Sequence, residues 1–94
     1  MIGAKPVIYN TAVTLADTEY SQALPVGTTK FEIKLRALNA LLKLAFVAGE
    51  SGTTYVTIPY GASYVENDVK MGSRSLYFQS PTAGGVAEIK VWIA

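Results

Sequence analysis

From Lys30 to Ala37 charged and apolar residues alternate without a break, reading Lys-Phe-Glu-Ile-Lys-Leu-Arg-Ala. Successive side chains of a β-strand point to opposite faces, so this is the pattern of a strand with one face buried. Phe31, Ile33, Leu35 and Ala37 are predicted to face a core, with Lys30, Glu32, Lys34 and Arg36 turned to water or a partner. A helix over 30–48 competes with this reading, because Phe31, Leu35, Leu38, Leu42 and Ala45 also recur at helical spacing. Such a helix would be apolar on every side, and only Gly49 would end it. Two strands turning near Asn39 are therefore expected, the second running from Leu42 to Ala48 with Leu44 and Phe46 inside.

The same reading extends along the chain. Val7 to Leu15 is predicted as a first, edge strand after Pro6, with residues 1–17 forming an extended arm or that edge strand. Thr18 to Leu24 alternates weakly and runs into Leu24-Pro25-Val26-Gly27, whose Pro and Gly positions fit a type I turn. Glu50-Ser51-Gly52 reads as a turn and Thr53 to Ile58, β-branched and aromatic, as a strand. Pro59-Tyr60-Gly61 ends it and repeats the Pro-x-Gly spacing of 25–27, although the flanks do not match as an internal repeat would. Ser63 to Val65 follows, then a polar turn Glu66-Asn67-Asp68. Ser75 to Gln79 is predicted to place Leu76 and Phe78 on one face, and Ser80 to Gly85 to form a loop. The last strand sets Ala87, Ile89, Val91 and Ile93 against Val86, Glu88, Lys90 and Trp92. About seven or eight short antiparallel strands with turn chemistry between them predict one all-β domain over 1–94, a β-sandwich or small jelly roll.

Composition narrows the picture. A chain of 94 residues has room for one core. Half of its residues are hydrophobic and 16% charged, against a usual share of about 25%, so some apolar surface is expected to be covered by another chain. The net charge of +1 comes without a run of either sign, which gives no pull toward nucleic acid or anionic membrane. The start lacks the charged end and apolar block of a signal peptide, and Leu35 to Ala48 falls short of the ~20 residues of a membrane span. A soluble protein made in the cytoplasm is expected.

Histidine and cysteine are both absent, which removes thiol chemistry, disulfides and most base–nucleophile pairs, and no cofactor is expected. Glu66 and Asp68 lie two apart but are better explained by a polar turn than by a calcium site, which needs six or more oxygens. Glu19 and Glu32 would act together only if their strands adjoined. Gly84-Gly85 lacks the residues of a phosphate loop. Leu76-Tyr77-Phe78-Gln79-Ser80 is similar to a protease site used to remove tags, but the upstream Glu-Asn is missing and the segment reads as native strand. Lys30, Lys34 and Arg36 form a basic stripe fit for an acidic partner or simply for water. Trp92 and the tyrosines Tyr55, Tyr60, Tyr64 and Tyr77 are the remaining candidates, since Trp and Tyr are favoured at interfaces and on sugar-stacking platforms.

Taken together, Tyr20 to Leu24, the turn from Leu24 to Thr28, Phe31-Glu32-Ile33-Lys34, Leu42 to Phe46, Gly52 to Tyr55, Thr57-Ile58-Pro59, Leu76 to Ser80 and Val91-Trp92 resemble a small β-rich protein often encoded among the structural genes of tailed bacteriophages. The resemblance covers about Thr18 to Ala94 and carries no catalytic signature. It implies a non-enzymatic virion component: most directly a capsid decoration or cement protein, or else a head-fibre or vertex protein or a module of the tail apparatus, oligomeric, bound to the major capsid protein or other virion proteins and assembled in the host cytoplasm. The expected contact residues are Glu88, Lys90 and Trp92 together with Lys30, Lys34 and Arg36. A carbohydrate- or receptor-binding module of a tail or head fibre is the alternative, with Tyr60, Tyr77 and Trp92 as stacking platforms.

Overall fold

The computed structural model of the protein describes residues 5–36, 40–67 and 74–93. The chain forms β1 (Lys5–Val13), β2 (Tyr20–Leu24), β3 (Thr28–Leu35), β4 (Leu42–Ala45), β5 (Val56–Ile58), β6 (Ser63–Glu66), β7 (Arg74–Gln79) and β8 (Gly85–Ile93). They make two four-stranded antiparallel sheets, ordered β1-β8-β3-β6 and β2-β7-β4-β5. The first strand pairs with the last, the second with the seventh, the third with the sixth and the fourth with the fifth. This is one long hairpin rolled into a sandwich, the topology of a jelly roll. The stretch is therefore two strands, β3 and β4, in place of a helix, but they lie in different sheets and do not pair with each other; the turn placed near Asn39 is outside the described residues, as is Ala37.

Alternation sets what each sheet buries. Phe31, Ile33 and Leu35 of β3 and Ala87, Ile89 and Val91 of β8 meet Leu42 and Leu44 of β4 and Leu76 and Phe78 of β7 in one core. Each large apolar side chain removed from water there contributes about 1.5–3 kcal/mol. The segment Leu76 to Ser80 is part of this core, with Leu76, Phe78 and Ser80 fully buried. Thr28 and Ser80, both buried, satisfy their hydroxyls on the Pro25 (2.7 Å) and Leu41 (2.8 Å) carbonyls.

Five expectations need correction. The strand predicted over Thr53 to Ile58 is Val56–Ile58 alone, because the Thr53 and Thr54 amides both donate to the Glu50 carbonyl and hold that stretch in a turn. Phe46 lies past the end of β4 and is 40% exposed, although its ring edge still meets Phe31 at 6.3 Å. The first strand ends at Val13, before Leu15, and Gly85 opens β8 instead of closing the loop before it. The turn at Pro25 is displaced by one residue: the Thr28 amide donates to the Pro25 carbonyl, and Gly27 sits third with φ 93°, the conformation a type II turn demands of glycine. Pro59-Tyr60-Gly61-Ala62 makes the same turn, with Gly61 at φ 71° and the Ala62 amide on the Pro59 carbonyl. The two Pro-x-Gly segments thus share a local conformation.

Candidate functional site

β8 and β3 are neighbours, so the face that each turns away from the core is a single surface. Their register sets Trp92 opposite Lys30, Lys90 opposite Glu32, and Glu88 opposite Lys34. Arg36 lies two residues beyond Lys34 on the same side. All six residues expected from the sequence as contacts on these two strands, Lys30, Lys34, Arg36, Glu88, Lys90 and Trp92, therefore share the outer face of one sheet.

The arrangement has two halves. Around Glu88, the Arg36 Nε donates to one carboxylate oxygen at 2.8 Å and the Lys34 ammonium stands 3.7 Å from the other. The Arg36 guanidinium, and after it Lys34, hold the Glu88 carboxyl below the usual carboxylate range despite some burial. Around Trp92, the Lys30 ammonium is 4.5 Å and the Lys90 ammonium 4.7 Å from the ring, both within cation–π reach. The face carries four cations, Lys30, Lys34, Arg36 and Lys90, against the carboxylates of Glu32 and Glu88. Among the described residues, the ion pairs on it all end on Glu88.

A bulge fixes the Trp92 end. The register between β3 and β8 shifts between Thr28 and Lys30, which leaves Thr29 out of the ladder, and its hydroxyl donates to the Trp92 carbonyl at 3.2 Å. Bulges re-aim side chains in this way. On the other side β1 adds Ile8 beside Lys90 and Asn10 beside Glu88. Ile8, Asn10, Glu32, Lys34, Glu88 and Lys90 line an open depression of about 290 Å³. Ile8 and Asn10 were not among the residues expected here; only the pairing of the first strand with the last brings them in.

The other candidates lie elsewhere. Tyr77 is on the outer face of the second sheet, in register with Ser21 and Ala45, on the far side of the sandwich from Trp92. Tyr60, 65% exposed, tips the turn between β5 and β6. Tyr60, Tyr77 and Trp92 thus do not form one stacking platform, because Tyr77 and Trp92 point outward from opposite sheets. Tyr55 lies beside the Lys43 ammonium at 5.0 Å. Tyr64 turns inward, tilts against Phe31 at 6.1 Å and donates to Glu66, which pushes its hydroxyl up to about 12. Glu66 belongs to β6, and Asp68 lies outside the described residues.

Glu19 does not meet Glu32. Its carboxylate accepts hydrogen bonds from the Gly49 amide (2.8 Å), the Ser51 amide (3.0 Å) and the Ser51 hydroxyl (2.6 Å). Among the described residues, no three acidic side chains converge as a metal site would require. No family model matches the chain, and no curated protein or solved structure matches it either.

Proposed function

We propose that this protein is a non-enzymatic binding module that docks through the outer face of the β1-β8-β3-β6 sheet onto other proteins, as a virion structural protein decorating a capsid lattice. The observation that carries the reading is the convergence of Lys30, Lys34, Arg36, Glu88, Lys90 and Trp92 on one rigid face, with the single tryptophan of the chain set between two ammonium groups. A large aromatic ringed by cations suits an interface core: it offers area at little entropy cost and fixes orientation by charge. The excess of cations favours an acidic partner surface. The capsid as partner rests on the resemblance to tailed-phage structural proteins, and jelly rolls serving capsid and lectin domains supply a fold-level analogy only.

On a lattice each copy binds beside many others, so modest single contacts multiply into firm attachment. The test is the molar ratio of this chain to the major capsid protein in purified particles, by quantitative mass spectrometry. A ratio near one or a simple lattice fraction is the expected result, and absence from the particle refutes the reading. Trp92→Ala combined with Lys90→Glu is expected to abolish rebinding to stripped particles; rebinding at wild-type strength would remove this face from the interface. Binding on a glycan array would instead move the assignment to sugar recognition.

A further inference from the structure

We infer that β1 is a docking edge for a second copy of this chain, which adds its own β1 antiparallel across a two-fold axis. β1 borders its sheet, pairs over nine residues with β8 on one side, and has no strand on the other among the described residues. Beyond the paired residues, the Gly84 amide donates to the Val13 and Thr14 carbonyls and so extends the β8 side of the strand. Natural proteins defend such edges with short strands, charges or bulges. The edges at β5 and β6 are three and four residues long, and β6 ends in Glu66. β1 has nine residues, and no charge from Pro6 to Ala16.

Side chains along β1 suit a copy of itself. Ile8 is 66% exposed, and Val7, Tyr9 and Thr11, facing the core, are only half-buried even with β2 nearby, where the Thr11 hydroxyl donates to the Gln22 side-chain oxygen at 3.1 Å. An antiparallel twin brings Val7, Tyr9 and Thr11 of each copy together and covers that remainder, with no like charges facing one another. Pro6 lacks an amide hydrogen, which confines the new ladder to Val7 through Ala12. A two-fold contact closes on itself and stops at a dimer, where an open edge met head to tail would propagate.

The joined sheet would have the order β6-β3-β8-β1-β1-β8-β3-β6. The Lys90 positions of the two copies would then be three strand spacings apart, about 14 Å. That exceeds the Debye length of about 8 Å at physiological salt, so the two basic faces coexist without strong repulsion. Two copies of the Trp92 face would look the same way. This inference stands on the strand edge and does not depend on what that face binds.

The test is sedimentation equilibrium of the whole chain over a concentration series, with hydrogen exchange on the same samples. The expected results are a two-chain mass at high concentration and protection of amides within Val7–Ala12 that grows with concentration. Ile8→Lys with Asn10→Lys, both on exposed outward positions, is expected to weaken association by on the order of tenfold or more while leaving the circular dichroism unchanged. A single-chain mass up to about 1 mM overturns the proposal. So does a dimer whose concentration dependence and Val7–Ala12 exchange ignore the lysines. If the double variant fails to fold, the concentration-dependent protection of the wild type decides.

Discussion

Removing the Glu19 carboxylate separates a latch from a decoration. It joins the segment before β2 to the turn at residues 49–51 by three hydrogen bonds to groups 30 and 32 residues away. Of these groups Gly49 is exposed, so water replaces the carboxylate at its amide at little cost. Ser51 is fully buried. Its hydroxyl is shared with the Gln79 side-chain oxygen at 3.0 Å and keeps that partner, but its amide is left unpaired. An orphaned buried donor costs about 1–3 kcal/mol, so Glu19→Ala is expected to destabilise by roughly 2 kcal/mol. Glu19→Gln retains an oxygen for Ser51 and turns its NH2 toward Gly49, at a cost of about 1 kcal/mol.

Acid adds a second readout. The Ser51 hydroxyl, with smaller help from the Gly49 and Ser51 amides, holds the Glu19 carboxyl below its ordinary value of 4.5. A carboxyl depressed in the folded state contributes stability that is fully present above its unfolded value and is lost as pH falls through the folded one. Wild-type stability should therefore fall below about pH 4.5, and Glu19→Gln should fall less steeply. Some acid dependence remains in the variant, since Arg36 depresses Glu88 in the same sense. Urea unfolding followed by circular dichroism at neutral pH and near pH 3 measures both effects. A Glu19→Ala protein within about 0.5 kcal/mol of wild type, or a Glu19→Gln protein with the wild-type acid loss, would refute the latch.

Other outcomes follow from packing and turns. Phe78→Ala, near the end of β7 and fully buried, should cost about 3–5 kcal/mol and leave little cooperative thermal unfolding, because domains of this size have only about 5–15 kcal/mol in total. Gly27→Ala meets Ile93 Cγ2 at 3.4 Å and must hold φ near +93°, so a loss of roughly 1–2 kcal/mol is expected in urea titration. Arg36→Ala should change stability by less than about 0.5 kcal/mol, since the pair is solvent-exposed. The same variant should raise the Glu88 titration midpoint seen by NMR, and an unmoved midpoint would deny Arg36 its leading role there.

How legible the fold was depends on what each signal reports. Alternation at 31–35 and 87–93 fixed which side chains enter the core, because period two is a property of the strand itself. Thr53 to Tyr55 has the composition of a strand, yet the Glu50 carbonyl captures the Thr53 and Thr54 amides; propensity measures fit to a sheet and is silent on a competing turn. Phe46 continues the alternation of β4 and still leaves the core, since pairing with β7 ends at Ala45. The order of strands was not legible at all: a rolled hairpin joins its first and last strands, and nothing local to either announces the other. The same limit hid Ile8 and Asn10 from the candidate face. It hid the Glu19 latch too, whose partners are mostly backbone amides with no side-chain signature.

The candidate face and the core divide the work of the molecule in a way that makes function testable apart from folding. The ion pairs at Glu88 are exposed and worth little, and cation–π contacts at exposed sites contribute about 0.5–1 kcal/mol each. Folding does not require Lys30 and Lys90 to share the Trp92 ring. Glu32 sits opposite Lys90 in the ladder, but among the described residues it forms no ion pair with it. Two like charges are thus kept beside one aromatic ring, and their mutual repulsion offsets the small cation–π gain in the isolated chain. A partner carboxylate would relieve it, gaining two ammonium groups and the ring edge at once. Lys30→Ala with Lys90→Ala should accordingly leave the unfolding midpoint nearly unchanged while weakening attachment to an acidic surface, and attachment should weaken with added salt in the wild type more than in this variant.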